Sequence, residues 1–278
     1  LGQGKMVRRP VSGILHIVVY IGFVIINIEV LEIIIDGLFG THRIFSAIGP
    51  LYGVLIGIFE ILAALVFVAV VIFWFRRNVV KIQRFMKSEM KGWPKLDGNL
   101  ILYFEIVLMA LFIIMNATDV EFQSINSGNV ISQFFTPMFE GLNVRLIERI
   151  AWWMHIVGIL IFLNYLYYSK HLHILLAFAN TYYGSVKPKG QLDNLEAVTK
   201  EVKLMMDPDA DPYAAVDEDA ATPDKFGASD VQDLNWVQLL NAYTCTECGR
   251  CTSECPANQT GKKLSPRKIM MDTRDRLV

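Results

Sequence analysis

Four stretches of this chain are long and apolar enough to dictate its surroundings. They run over roughly 13–36, 51–75, 99–118 and 147–168. A helix that crosses a bilayer needs about 20 residues of this kind. Four such runs in 278 residues predict an all-α membrane helical bundle, because a helix satisfies its own backbone groups in lipid. The connectors set the orientation through their lysines and arginines. The segment 76–98 carries Arg76, Arg77, Lys81, Arg84, Lys87, Lys91 and Lys95, whereas 37–50 has only Arg43 and 119–146 only Arg145. Lys5, Arg8 and Arg9 precede the first span and Lys170 follows the last. Both ends of this chain are therefore expected in the cytoplasm, with 37–50 and 119–146 outside. The 26 basic and 27 acidic residues nearly cancel, which gives no reason to expect nucleic acid as a partner.

Lipid-facing positions have no use for charge, so acids and imidazoles inside the spans ask for an explanation. Glu29, Glu60 and His155 lie seven to nine residues in from the outer boundaries of three different helices, and so share one depth. That pattern suits a paired structural cluster in the bundle interior. It equally suits a proton or quinone-headgroup site toward the outer leaflet. Glu32 and Asp36 extend the Glu29 face by i+3 and i+7. Glu105, nearer the inner surface, is a candidate partner for the basic loop. Gly53 and Gly57 form a GxxxG pair, which more often marks close helix packing than cofactor contact.

The histidines are placed unevenly. His16 sits just inside the cytoplasmic end of the first span. His155 and His173 bracket the last span; at about 100° per residue their separation is five full turns, so one unbroken helix would present both on one face, about 27 Å apart. His171, two residues from His173, points nearly the opposite way. Lone membrane histidines are usually packing residues, but imidazoles on facing helices are a standard means of holding haem iron.

The segment WWMHIVGILIFLNYLYYSKHLHIL is similar to the fifth helix of the nitrate reductase gamma subunit family, a haem b membrane anchor, with SKHLH as its turn. RRPVSGILHIVVYIGF resembles that family's second helix. The resemblance implies haem b between His16 and His173. A second haem at His155 would need a ligand near Ile26 or Asn27, where neither side chain can serve; His42, in the outer loop, substitutes only if that loop folds inward. It also implies one more helix before the first span. This agrees with Leu1 in place of Met and a helical pattern still running at Val278, both of which read as an internal piece of a longer polypeptide.

Beyond 183 the character changes. Lys187-Pro188-Lys189-Gly190 breaks the pattern, and 207–233 holds nine acids against Lys225 alone. A run rich in Asp, Ala and Pro reads as a solvated linker, or else as a docking strip for a basic partner. Three segments follow: a membrane domain over 1–183, an acidic linker over 184–229, and a small cytoplasmic α-helical ferredoxin-type module over 230–278. In the last, Ser229 or Asp230 is the expected cap of a helix with Leu234, Val237 and Leu240 on one side, and Ser265-Pro266 opens a second helix.

All four cysteines of the chain fall in Cys245-x2-Cys248-x2-Cys251-x3-Cys255-Pro256, the bacterial ferredoxin spacing for [4Fe–4S] ligation. A tight loop of thiolates wraps one face of the cluster, Gly249 keeps that loop slim, and Pro256 turns the chain after the last sulfur. Zinc motifs more often separate two C-x2-C pairs widely, and a reducing cytoplasm disfavours disulfides. In two-cluster ferredoxins the fourth cysteine of such a run ligates the other cluster. Cys255 thus either closes this cluster or reaches toward a second one bound by chain beyond Val278.

DLNWVQLLNAYTCTECGRCTSECPANQTGKKLSPRKIM resembles the iron–sulfur domain of heterodisulfide reductase-like oxidoreductases. Its fusion to a nitrate reductase gamma-like anchor is similar to bacterial membrane-bound (Fe-S)-binding oxidoreductases, some of which pass electrons from electron-transfer flavoprotein to menaquinone. The resemblance implies electron transfer at the bacterial inner membrane between a cytoplasmic donor and quinone, through [4Fe–4S] and haem b. Two rivals are open: an anchoring or structural subunit of a larger respiratory complex, and a proton-coupling subunit in which Glu29 and Glu60 carry protons.

Overall fold

The computed structural model describes residues 4, 6–125, 128–188, 190–191, 194–209 and 227–277. Lys5, Lys189 and most of the acidic stretch (210–226) lie outside the described residues. Among the described residues all regular structure is helical: α1 Pro10–Phe39, α2 Pro50–Asn78, α3 Trp93–Thr118, α4 Val120–Ile125, α5 Val144–Leu166, α6 His173–Tyr182, α7 Glu196–Met206, α8 Trp236–Tyr243, α9 Arg250–Ser253, α10 Pro256–Gln259 and α11 Pro266–Leu277. The chain divides into two compact units, Leu1–Leu172 and His173–Val278.

In the first unit, α1, α2, α3 and α5 are each long and apolar enough to cross a membrane. Helices α1, α2 and α3 each contain one predicted stretch whole and α5 covers all but the last two residues of 147–168, with most ends set by local chemistry. Prolines open α1 and α2, where a missing N–H is no loss. Gly40 closes α1 in the left-handed conformation, at φ 67°. The Asn143 side chain caps α5 by accepting from the Leu146 N–H at 3.1 Å. Helix α1 packs on α2, α2 on α3, and α3 on α5. Ile56, Phe59, Ala63 and Phe112 are fully buried at the centre of this row, while Leu31, Leu65, Val107 and Leu160 stand about half exposed on its outside. That inverted surface is stable only where lipid covers it.

Lipid tails are as apolar as leucine, so close backbone approach and hydrogen bonds hold such helices together. A Cβ on Gly22 would lie 2.4 Å from the Val66 side chain, and one on Gly158 would lie 2.9 Å from Leu108. These two glycines let α1 meet α2 and α5 meet α3. The GxxxG pair has a different neighbour from the one expected. Gly57 faces Val130, and a Cβ on Gly128 would come within 3.0 Å of the Gly53 carbonyl. It receives the loop after α4 rather than another helix.

The last span departs from expectation. Helix α5 stops at Leu166, a short turn spans 167–172, and α6 begins at His173. The cause is Asp97 on α3. It accepts hydrogen bonds from the Tyr165 hydroxyl, from Ser169 Oγ at 2.6 Å and from the Lys170 N–H at 3.1 Å. In an unbroken helix that last N–H would bind the Leu166 carbonyl. The five-turn argument placing His155 and His173 on one helix face therefore does not hold. The segment expected as linker is also partly ordered, since α7 occupies its middle.

In the second unit α8 packs against α6 and α11. Asn180 donates to Asn241 at 2.8 Å, and Tyr183 meets Trp236 edge-on at 4.6 Å. The cap of α8 is Asn235 in a reciprocal pair with Gln238. Asp230, expected to cap that helix, caps a single turn at Val231–Asp233 just before it. Ser265 caps α11 as expected, accepting from the Lys268 N–H at 3.3 Å.

Candidate functional site

The cysteine run lies on the connection from α8 to α10. Residues 245–249 form an open loop, Cys251 sits on α9, and Cys255 immediately precedes Pro256 at the start of α10. The loop bends at two left-handed residues, Glu247 at φ 55° and Gly249 at φ 71°. Glycine adopts this conformation freely; a glutamate needs compensation. Glu247 is 2% exposed, and Arg274 of α11 pairs with its carboxylate at 2.9 Å. Arg267, itself 1% exposed, donates its backbone N–H to Thr252 Oγ1 at 3.2 Å and reaches the Glu247 carbonyl at 3.5 Å. Helix α11 thus braces the loop from beneath, leaving Cys248 and Cys251 exposed and Cys245 and Cys255 half-buried.

Burial pushes the Cys245 thiol up, the Glu247 N–H opposes this, and Cys248 and Cys251 add to the rise. Those three cysteines therefore share one electrostatic neighbourhood. Among the described residues no three His, Cys, Asp or Glu side chains converge tightly enough to hold a single metal ion. A cubane is a different guest, since it spreads its thiolates over separate iron corners. A donor set of four cysteines, none in a disulfide, on a bent and braced loop fits such a cluster.

The membrane histidines differ in their surroundings. His155 is 1% exposed, and its Nδ1 lies 3.0 Å from the Leu108 carbonyl. That contact puts the proton on Nδ1 and leaves Nε2, buried and without a partner, as a free lone pair. Metal-binding imidazoles are oriented in this way. His16 is half-buried on α1, and its Nδ1 is likewise buried and unpartnered. Orphaned imidazole nitrogens inside an apolar bundle fit a haem iron. His171 packs its ring on Phe162 at 5.3 Å, and His173 opens α6.

Glu29, Glu60 and His155 share a depth, but they do not form one hydrogen-bonded cluster. Glu60 is fully engaged: Asn116 Nδ2 at 3.0 Å, Ser132 Oγ at 2.6 Å, and the N–H groups of Ile131 and Ser132 at 2.8 and 3.1 Å. It ties the loop after α4 to α2 and α3. His155 bonds to α3 instead. Glu29, 1% exposed, has no partner on either oxygen. Glu105 is half-buried and makes no ion pair with the basic loop among the described residues.

Sequence reasoning missed the residue that organises the end of the bundle at the α1–α2 connector. Arg43, 8% exposed, folds inward from the α1–α2 connector. It pairs with Asp119 at 2.9 Å, donates to Asn116 at 2.8 Å, and lies 4.4 Å from the Phe122 ring centre. His42 stands 3.5 Å from the same carboxylate. Burial alone would raise the Asp119 carboxyl, but the bond with His42 and the Arg43 charge hold it down at about 2. The same contact raises His42 above its ordinary value, against burial. The one signal available in the sequence was that Arg43 is the only lysine or arginine of its connector.

Fold and site together define a class: an all-helical chain joining four membrane-capable helices to a four-cysteine loop of ferredoxin spacing. No protein-family model matches the chain, and no solved structure matches it significantly. Two curated proteins match essentially all of it. A probable iron-sulfur-binding oxidoreductase, FadF, of Bacillus subtilis is 29% identical over 282 residues, covering 100% of this chain and 36% of the relative. The EtfAB:quinone oxidoreductase of Syntrophomonas wolfei is 24% identical over 283 residues, covering 95% and 35%. A probable membrane-anchored ferredoxin of Chromohalobacter salexigens is 40% identical over 55 residues, 20% of this chain and 8% of the relative. The chain spans about a third of the length of the first two.

Proposed function

We propose that this chain is the membrane and first-cluster portion of an oxidoreductase that passes electrons between a cytoplasmic donor and the quinone pool. The observation that carries this reading is the cysteine loop, bent at Glu247 and braced by α11, in one chain with a membrane-capable bundle that holds orphaned imidazole nitrogens. The similarity to proteins named iron-sulfur-binding oxidoreductase and EtfAB:quinone oxidoreductase supports it. In this reading Cys245, Cys248 and Cys251 bind a [4Fe–4S] cluster, with Cys255 as its fourth ligand or the first ligand of a neighbouring one. His16 and His173 hold haem b, and the Nε2 of His155 is a further candidate ligand. Bound there, these groups supply one-electron steps. The chain's own part is to fix ligand orientation: Leu108 sets the His155 tautomer, and Arg274 sets the cysteine loop. Electron-transfer flavoprotein is the proposed donor and menaquinone the proposed quinone. The inner face of a bacterial cytoplasmic membrane is the proposed site of the basic loop, both chain ends and the cysteine unit.

The test is spectroscopic, on the full-length protein purified in detergent. Adding a soluble reduced donor or a quinol should yield the reduced haem spectrum, and Cys248→Ser should block reduction by the donor but not by the quinol. Iron–sulfur signals without haem would remove the haem half of the proposal. Loss of assembly in Cys248→Ser, with no electron transfer in the parent protein, would favour a purely structural subunit.

A further inference from the structure

Around Glu29 every other charged group has a partner. On α1, Glu32 accepts from the Phe45 N–H and the Tyr52 hydroxyl, each at 2.9 Å. One turn further on, Asp36 accepts from the N–H groups of Arg43 and Ile44 at 2.7 and 3.2 Å. In the loop, Arg43 and His42 are committed to Asp119. On α2, the oxygens of Glu60 carry four donors, and on α5 Glu148 meets Arg149 at 3.3 Å. Among the described residues around it, Glu29 alone has two vacant acceptor atoms. It borders a cleft lined by the apolar Ile33, Met115 and Trp152 and by Glu32, Asp36, His42, Arg43, Asp119 and Glu148 from among the paired groups just named. The space between them holds roughly one water molecule, and its lining includes His42 of the α1–α2 connector, whose side chain is 38% exposed.

We propose that Glu29 is a proton-binding site that exchanges protons through this cleft with the aqueous phase at the α1–α2 connector. A carboxyl group buried without donors contributes nothing to packing, and intramembrane acids of this kind mark proton relays. Glu60 cannot share the role, because its acceptor sites are filled. His155 cannot hand Glu29 a proton directly, because its Nδ1–H is engaged with Leu108. The step is simple: an O–H bond of a hydronium in the cleft breaks, and an O–H bond forms on the Glu29 carboxylate. Arg43 lies within electrostatic reach of Glu29 and offsets part of the charge left when the proton departs, while the nearby Glu32 and Glu60 act against it. The inference rests on the reading that these helices cross a membrane. It narrows the proton role to a single residue.

The experiment uses full-length protein in native membranes, treated with dicyclohexylcarbodiimide, a lipid-soluble reagent that adds to protonated carboxyl groups. Peptide mass spectrometry should find the adduct on Glu29 and not on Glu60, with loss of the adduct in Glu29→Gln and its retention in Glu29→Asp. Cluster and haem absorbance should persist in both variants, which separates loss of the site from loss of the fold. Unlabelled Glu29 in a protein that resists alkaline extraction from the membrane would overturn the inference while leaving the membrane reading intact. Release of the protein by alkaline washing would instead sink the reading on which it rests. Equal labelling of Glu29 and Glu60 would also overturn it.

Discussion

Arg43 shows how far a single residue's role can lie from its neighbourhood in sequence. Its partners Asn116 and Asp119 are more than seventy residues away, so composition could mark it as an isolated positive charge but could not say what it holds. Replacing it by methionine leaves the buried Asp119 with only His42 and the Phe122 N–H as partners, and breaking a buried pair costs at most about 3–5 kcal/mol. Thermal unfolding in detergent should show the loss at neutral pH, with the deficit shrinking as Asp119 becomes protonated. The pH dependence follows from the two shifts. The Asp119 contribution is present above its unfolded pKa of about 3.9 and is lost as pH falls through about 2. His42 has a raised folded pKa, so its contribution is complete below the unfolded value of about 6.5 and is lost as pH rises through the folded one. His42→Gln should therefore lower the melting temperature most in mildly acidic buffer and least at alkaline pH. Because His42 is 38% exposed at the side chain, the effect should stay under about 1 kcal/mol.

Helix boundaries were legible where they depend on local chemistry and illegible where a distant side chain intervenes. Proline starts, the Gly40 stop and the four apolar runs could all be read along the chain. The end of α5 could not, because Asp97 on another helix takes the Lys170 N–H. Asp97→Ala should cost about 1–3 kcal/mol through unpaired buried donors. It should also let α5 extend toward His173, a gain in helicity measurable by circular dichroism. A similar dependence governs the cysteine loop. Its spacing was plain in sequence, but its bracing by Arg267 and Arg274 was not, because these arginines come 20 and 27 residues after Glu247. Arg274→Leu leaves the Glu247 carboxylate buried without its cation, so iron content per protein should fall well below the parent's. The double variant Glu247→Gln, Arg274→Leu removes both partners of this pair and should recover much of that iron, as double-mutant logic requires of a direct pair.

At the scale of the whole molecule, the membrane helices could be read from sequence because length and apolarity alone decide whether a helix can span, whereas the polar groups inside them could not be sorted. Depth put Glu29, Glu60 and His155 in one group, and only their contacts separate a tether, an oriented imidazole and an unpartnered acid. Orientation follows from the same bilayer physics as the spans, since lysines and arginines resist translocation. The connector 76–98 is dense in them and the connectors 37–50 and 119–146 are nearly bare, so α2 should run inward and α3 outward, with the cysteine run on the side of the basic connector. Ser88 and Glu140 are both exposed and lie in connectors of opposite charge character, which makes them suitable reporters. In cells with an opened outer envelope, a membrane-impermeant maleimide should label Glu140→Cys at once and Ser88→Cys only after the membrane is permeabilised. Labelling of Ser88→Cys in intact membranes would invert the topology and place the cysteine loop away from any cytoplasmic donor.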